Sequence, residues 1–111
     1  MAIHTESLHS ERAFRTEINQ NKYKDRLVVV DFSAAGCLPC QNIKPIVDGL
    51  ARDLDSEVEF IEIDVDDSNE VADALGIHVV PMFQFFRNGK RVDTVVGANP
   101  APLKELVAAL K

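Results

Sequence analysis

The spacing of hydrophobic and polar residues changes several times along this 111-residue chain. Leu27–Ser33 is apolar at nearly every position, which is typical of a central strand in a sheet that is covered on both faces. From about Cys37 to Leu54, apolar residues instead recur every three or four positions, which predicts a helix. Pro45 lies inside this pattern, and we expect a bend there because proline removes one backbone hydrogen bond. A strand therefore gives way to a helix close to Cys37.

The next segment repeats this strand-to-helix order. Val58–Val65 has the composition of a second strand. Asp67–Glu70 supplies side chains that can cap a short helix, and Gly76 is placed to end it. The chain therefore contains a β-α-β-α alternation.

The rest of the chain predicts a hairpin and two more helices. Met82–Arg87 and Arg91–Val96 flank Asn88-Gly89-Lys90, which predicts a hairpin because Asn and Gly accept a positive φ. A helix begins at Asn99-Pro100. Apolar residues also mark an N-terminal helix: Leu8, Phe14 and Ile18. We therefore expect a single α/β domain over residues 1–111, with a central mixed sheet and helices on both faces.

Charge and hydropathy narrow the classes of function. The chain has 12 Lys and Arg against 18 Asp and Glu, a net charge of −6, which disfavours nucleic-acid binding. No apolar run approaches the roughly 18 residues that a membrane-spanning helix needs. Residues 1–7 have neither the basic start nor the apolar stretch of a signal peptide. We therefore expect a cytoplasmic protein that binds neither nucleic acid nor membranes.

Two cysteines, Cys37 and Cys40, are separated by two residues. A disulfide that closes so short a loop stabilises a fold by roughly 2 kcal/mol, against about 4.7 for a loop of about 100 residues. The pair is therefore a poor structural crosslink, and its spacing indicates redox chemistry or half of a metal site. A metal or iron–sulfur cluster shared between two chains is a further alternative.

The position of these cysteines at the start of a helix favours redox chemistry. Unpaired N–H groups and the positive end of the helix dipole favour a thiolate at Cys37, which makes it the candidate nucleophile. Side chains three positions apart share a helix face, so Cys40 can reach Cys37 and resolve a mixed disulfide. Pro39 loses no helical hydrogen bond in the first turn, and it stiffens the loop between the thiols.

The chain resembles the thioredoxin family from at least Leu27 to Lys111. Five segments carry the resemblance: residues 30–34, Cys37-Leu38-Pro39-Cys40, residues 41–45, Val79-Val80-Pro81 and Val96-Gly97-Ala98-Asn99. The resemblance implies the thioredoxin fold and a protein-disulfide reductase that acts by thiol–disulfide exchange, with a role in electron transport and cell redox homeostasis. It implies a monomer with no tightly bound cofactor or metal, recharged from NADPH by a thioredoxin reductase. Disulfide-containing proteins such as peroxiredoxins are the implied substrates.

Asp31 interrupts the apolar strand that leads to the cysteines. Its carboxyl group should be buried and its pKa raised, although an exposed position at the sheet edge is the alternative. The resemblance makes Asp31 the proton acceptor for Cys40, and a buried carboxylate of raised pKa can take that proton.

Pro81 and the residues after the last strand are candidate substrate contacts. The resemblance implies a cis bond before Pro81, which would leave the backbone of Val80 free to pair with a substrate chain. A trans turn is the alternative. Gly97 and Ala98 would complete a flat apolar docking surface, and an ordinary turn glycine is the other interpretation of Gly97.

Three positions depart from the family pattern. Gly36 stands where Trp is usual, Leu38 where Gly is usual, and Met82 where Thr is usual. Loss of the aromatic side chain removes contact area for partners, and Leu38 either replaces part of it or excludes some partners. We assign Gly36 and Leu38 to the substrate contacts. A binding or regulatory module with slow or partner-restricted redox activity is therefore the second hypothesis.

Overall fold

The computed structural model describes the backbone of residues 3–6 and all of residues 8–111. The elements follow one another along the chain: β1 (Ile3–Glu6), α1 (Glu11–Ile18), a short 3₁₀ turn (Asn21–Tyr23), β2 (Leu27–Ser33), α2 (Leu38–Asp53), β3 (Val58–Asp64), α3 (Asn69–Ala74), β4 (Met82–Arg87), β5 (Lys90–Val96) and α4 (Pro100–Leu110). The predicted elements are therefore confirmed. β1 is the one strand of the described chain that the sequence pattern does not predict.

The five strands of the described chain form one mixed sheet in the order β1-β3-β2-β4-β5. β3 is parallel to both of its neighbours, whereas β4 is antiparallel to β2 and β5. β2 therefore lies at the centre of the sheet, where every residue from Leu27 to Phe32 is buried. The loop that carries the cysteines leaves from the carboxyl end of this strand.

Helices cover both faces of the sheet, as the sequence predicts. Alternate residues of β2 point to opposite faces: Val28, Val30 and Phe32 pack in one core with α1 and α3, and Leu27 and Val29 pack in the other with α2 and α4. We call these the α1/α3 core and the α2/α4 core. Asp31 has the same parity as Leu27 and Val29, so its carboxyl group points toward α2.

The first helix and the third helix differ in detail from the prediction. Leu8 is buried but precedes α1, whose N-cap is Ser10. Ser68 is the N-cap residue of α3 but makes no capping bond with its side chain. Its Oγ instead accepts a hydrogen bond from the backbone N–H of Leu8, at 3.1 Å. Ser68 thus joins the N-terminal segment to α3.

The turn and cap residues explain where the last elements begin. Asn88 and Gly89 adopt φ values of 51° and 80°, which gives the predicted β4–β5 hairpin. The Asn99 side chain accepts a hydrogen bond from the N–H of Ala101 at 3.2 Å and caps α4. None of the described helices has the length and hydropathy needed to span a bilayer.

Candidate active site

Cys37 is the N-cap residue of α2, and Cys40 lies in its first turn. The backbone N–H of Cys40 donates a hydrogen bond to Sγ of Cys37 at 3.1 Å, so the sulfur occupies the place of a capping side chain. Pro39 is in the first turn, as predicted, where a missing N–H leaves no helical bond unmade. The helix N-terminus therefore holds Cys37 in position.

The two cysteines form a disulfide with a Cα–Cα distance of 5.2 Å. They differ in accessibility: Cys40 is buried, at 6% exposure, whereas Cys37 is half-buried. Leu38 between them is 64% exposed. An incoming sulfur atom can therefore approach Cys37 much more easily than Cys40.

The Val80–Pro81 peptide bond is cis, as the resemblance implies, so the alternative of a trans turn is wrong. The carbonyl oxygen of Val80 lies 3.9 Å from Sγ of Cys37. The carbonyl oxygen of Pro81 accepts a hydrogen bond from the N–H of Gly97 at 2.9 Å. This network brings the Val79–Pro81 loop and the end of β5 next to the disulfide.

Asp31 is buried at the centre of the sheet, at 5% exposure, so the alternative of an exposed edge position is wrong. Its Oδ1 atom has no hydrogen-bond partner among the described residues. Burial is the main cause that raises the pKa of Asp31 to about 7; the negative charge of Glu62 adds to this, Lys44 opposes it and Asp48 adds a smaller effect. Near neutral pH, Asp31 can therefore either hold or accept a proton.

Lys44 and Glu62 also belong to the site, although the sequence pattern does not predict them as site residues. Nζ of Lys44 lies 3.5 Å from a carboxylate oxygen of Glu62 and 3.6 Å from one of Asp48. Partial burial acts to lower the pKa of Lys44, but these two carboxylates outweigh it and raise that pKa. The alternation along β3 could have shown that Glu62 is on the same face as Phe60, but its pairing with Lys44 depends on how α2 packs on the sheet.

A cleft of about 240 Å³ lies beside Cys40. Its lining comes from the loop after β2, the first turns of α2 and the end of β3, and includes Cys40, Gln41, Lys44, Glu62 and Asp64. The cleft therefore gives water and protons access to the buried side of the disulfide, next to the Lys44–Glu62 pair.

Exposed apolar side chains surround the accessible side of the disulfide. The chain has four exposed large hydrophobic residues among those described: Leu38, Val79, Val92 and Val96. Leu38 adjoins Cys37, Val79 precedes Val80, and Val96 is the strand partner of Met82 next to Pro81. Three of the four thus lie in segments that meet at the disulfide. We call Leu38, Val79 and Val96 the apolar rim.

The two glycines at this end of the molecule differ in what their positions require. Gly97 has a φ of 96°, so the turn itself needs glycine, and this supports its interpretation as a turn residue. Gly36 is exposed, and a Cβ atom added there would meet no atom within 4 Å. The backbone therefore does not exclude a larger side chain at Gly36. Ala98 is half-buried and packs against the α2/α4 core.

The acidic residues after β3 serve the local backbone. Oδ1 of Asp64 accepts hydrogen bonds from the N–H groups of Asp66 and Asp67, at 2.8 and 3.2 Å. Within residues 8–111 no group of three or more His, Cys, Asp or Glu side chains is arranged to hold a metal ion.

Comparison with known proteins places this geometry in a family. Residues 5–111 match the family model for thioredoxin. A thioredoxin of Gallus gallus is 48% identical over 86 residues, which cover 78% of this chain and 81% of the relative. The X-ray structure of Fasciola hepatica thioredoxin is 39% identical, with a TM-score of 0.85 over 100% of both chains. A chain from a structural study of thiol resolution in yeast mitochondrial 1-Cys peroxiredoxin via glutathione/thioredoxin systems is 28% identical, with a TM-score of 0.84 over 98% of this chain and 96% of that one.

Proposed function

This chain belongs to the thioredoxin family, and we propose that within it Cys37 is the nucleophile and Cys40 the resolving thiol. The family match and the Cys37–Cys40 pair identify a thiol–disulfide oxidoreductase that acts as a protein-disulfide reductase. The observation that carries the assignment of roles is the difference in exposure, since Cys37 is half-buried whereas Cys40 is buried.

The reaction transfers two electrons from the reduced cysteine pair to a substrate disulfide. The Cys37 thiolate attacks one substrate sulfur, the substrate S–S bond breaks, and the first substrate thiolate leaves. Cys40 then attacks Sγ of Cys37, the mixed disulfide breaks, and the second substrate thiolate leaves. The products are a substrate dithiol and the Cys37–Cys40 disulfide seen in this structure.

Asp31 serves as the proton acceptor for Cys40 in the second step. A thiol is a poor nucleophile until it loses its proton, and a carboxylate is a far stronger base than the water that the cleft admits beside Cys40. The carboxylate of Asp31, with its pKa raised to about 7, matches this task at neutral pH. Lys44 and Glu62 line the adjoining cleft, through which the proton can reach solvent.

The substrate docks on the accessible side of the disulfide. Backbone groups of Val80 next to cis-Pro81 pair with an extended substrate segment, and the Val80 carbonyl already lies 3.9 Å from Sγ of Cys37. Gly36, Leu38, Gly97 and Ala98 complete the contact surface. The exposed Leu38 side chain supplies apolar contact area in a loop that lacks tryptophan.

The family also supports a physiological setting. We assign the protein to electron transport and redox homeostasis in the cytoplasm, as a monomer recharged from NADPH by a thioredoxin reductase. Peroxiredoxins are candidate substrates, supported by the structural neighbour whose study concerns peroxiredoxin resolution. The net charge of −6 argues against nucleic-acid partners.

A binding or regulatory module is the second candidate function. Gly36 and Leu38 depart from the family pattern beside the nucleophile, and Leu38 is 64% exposed. Such a rim can serve one partner while the cysteines turn over slowly.

One experiment separates the two functions: reduction of insulin with thioredoxin reductase and NADPH, using the native chain, Cys37→Ser and Cys40→Ser. Turnover that needs both cysteines supports the enzyme with general substrates. Cys40→Ser should also accumulate a mixed disulfide at Cys37, whereas Cys37→Ser should form none. Absence of turnover with any reductase or chemical dithiol, together with tight binding of one partner by both variants, would favour the module.

A further inference from the structure

Gln84 has an unusual hydrogen-bonding environment. It lies on β4 in the α1/α3 half of the interior, at 2% exposure, and its Oε1 atom has no hydrogen-bond partner among the described residues. Its Nε2 atom lies 3.8 Å from Sδ of Met82, and a thioether sulfur is a weak acceptor. Buried amides are normally well satisfied, so this side chain has bonding capacity that the fold leaves unused.

Met82 connects this buried amide to the redox surface. It is the residue after cis-Pro81 and the first of β4, it is half-buried, and it packs against the α1/α3 core beside Val80. Its partner across the β4–β5 pairing is Val96 of the apolar rim, which is 56% exposed. The thioether thus lies between the surface around the disulfide and the Gln84 amide.

Oxidation of this sulfur would give the N–H group of Gln84 a stronger acceptor than the thioether, while Oε1 would still have no partner. A peroxide transfers one oxygen atom to Sδ: the O–O bond breaks, an S=O bond forms, the sulfur loses two electrons, and hydrogen peroxide becomes water. A sulfoxide oxygen is a much stronger acceptor than a thioether sulfur, so the Nε2–H of Gln84 can donate to it. In an apolar core without such a donor, the new oxygen would have no hydrogen-bond partner and would destabilise the fold.

We propose that Met82 is a site of reversible oxidation by peroxides, with Gln84 as the amide that binds the sulfoxide, and that oxidation weakens substrate docking. The proposal rests on the docking surface of the proposed function. The sulfoxide places a polar group beside Val80 and Val96, where the unmodified chain offers an apolar contact. A chain that reduces disulfides would then lose substrate affinity when peroxide is abundant, without a change at its cysteines.

The test starts from the disulfide form, in which Cys37 and Cys40 are protected from peroxide. The chain is treated with hydrogen peroxide, and the oxidised residues are mapped by peptide mass spectrometry. The disulfide is then reduced with dithiothreitol, the dithiothreitol is removed, and reduction of insulin is measured with thioredoxin reductase and NADPH. We expect one added oxygen atom at Met82 and a KM for insulin that rises roughly tenfold, as expected for a polar group placed in an apolar contact. Treatment with methionine sulfoxide reductases A and B should restore the original KM.

Two variants make the test specific. Met82→Leu retains Met1, so peroxide should leave the KM of this variant at its own untreated value. Gln84→Leu removes the donor, and oxidation of Met82 should then lower the midpoint of thermal unfolding by more than it does in the native chain. An equal decrease in both chains would overturn the role of Gln84.

The outcomes also separate this inference from the proposed function. If the untreated chain reduces insulin and the Met82-oxidised chain keeps the same KM, only the proposal for Met82 fails. If peroxide leaves Met82 unmodified under conditions that oxidise a free methionine peptide, the proposal also fails. If the untreated chain has no reductase activity at all, the proposed docking surface is wrong and the functional effect of oxidation is wrong with it.

Discussion

Asp31 on β2 and Glu62 on β3 are direct partners in the parallel pairing of these strands, so both carboxylates leave the sheet on the face that α2 covers. Glu62 is bound by Lys44, whereas Oδ1 of Asp31 has no hydrogen-bond partner among the described residues. Burial raises the pKa of Asp31 to about 7, and the negative charge of Glu62 is the next largest cause.

The first prediction is that Asp31→Asn stabilises the fold, and that the gain grows with pH. The folded-state pKa of Asp31 is raised from 3.8 to about 7, so the folded chain binds the proton more tightly than the unfolded chain does. The native chain therefore loses stability as the pH rises from about 4 to about 7, and Asn does not. The gain at pH 8 should approach an upper limit of about 4 kcal/mol and nearly vanish at pH 4.

Urea unfolding of the disulfide form across this pH range measures the effect. Asp73→Asn, at an exposed position on α3, is the matched control for the loss of one carboxylate. A gain from Asp31→Asn that is the same at pH 4 and pH 8 would contradict the titration of Asp31.

Asp31→Asn should also slow the release of substrate from the mixed disulfide, because Cys40 then lacks its proton acceptor. Stopped-flow measurements can follow this step.

The second prediction concerns the neighbours of Asp31. Glu62→Gln removes the negative charge that, after burial, contributes most to the raised pKa of Asp31, so this pKa should fall. Lys44→Met removes the opposing positive charge and should raise the pKa further. NMR titration of the Asp31 carboxyl carbon should show the two shifts in opposite directions, with a smaller decrease for Asp48→Asn. Shifts of the same sign in Glu62→Gln and Lys44→Met would rule out this electrostatic account.

The sequence predicted most of this fold because local signals were strong. The apolar run of Leu27–Ser33, the helical spacing after Cys37 and the Asn88-Gly89 turn each specify one local structure. β1 was not predicted because four residues at a sheet edge carry little periodicity, and their pairing with β3 is a long-range contact. Ser68 was likewise expected to cap a helix locally, but its hydroxyl is used by Leu8, sixty positions away in sequence.

The site was predictable in two cases: where its residues are close together in sequence, and where the family resemblance indicates them. Cys37, Pro39 and Cys40 follow from the start of one helix, and cis-Pro81 follows from the resemblance. Lys44 and Glu62 could not be predicted in this way. A charged residue on a helix and one on a strand look like solvated positions until the packing of α2 on β3 brings Nζ of Lys44 within 3.5 Å of the Glu62 carboxylate. Gln84 was not predicted either, because its burial depends on the packing of α1 and α3 against the sheet.

The third prediction compares two glycines near the disulfide. Gly97→Ala should destabilise the fold by about 1 to 2 kcal/mol, because an L residue is strained at a φ of 96°. Gly36→Ala should be nearly neutral or slightly stabilising, since its Cβ would meet no atom within 4 Å. Chemical unfolding of both variants gives the comparison. Equal effects would show that the turn at Gly97 relaxes to admit a side chain.

The last prediction tests the apolar rim. Leu38→Ala should raise the KM for a protein disulfide about fivefold with little change in kcat, because it removes part of an apolar contact made equally in the bound substrate and the transition state. Leu38 is 64% exposed, so the loss of its side chain should cost the fold itself little stability.

Val92→Ala is the matched control for Leu38→Ala. Val92 is also exposed, at 46%, but it lies four positions before Val96 on β5, about 13 Å along the strand from the rim. Steady-state reduction of insulin by both variants separates a contact at the rim from a general loss of surface hydrophobicity. An unchanged KM in Leu38→Ala, or an equal rise in Val92→Ala, would remove Leu38 from the docking surface and leave substrate binding to the backbone of Val80.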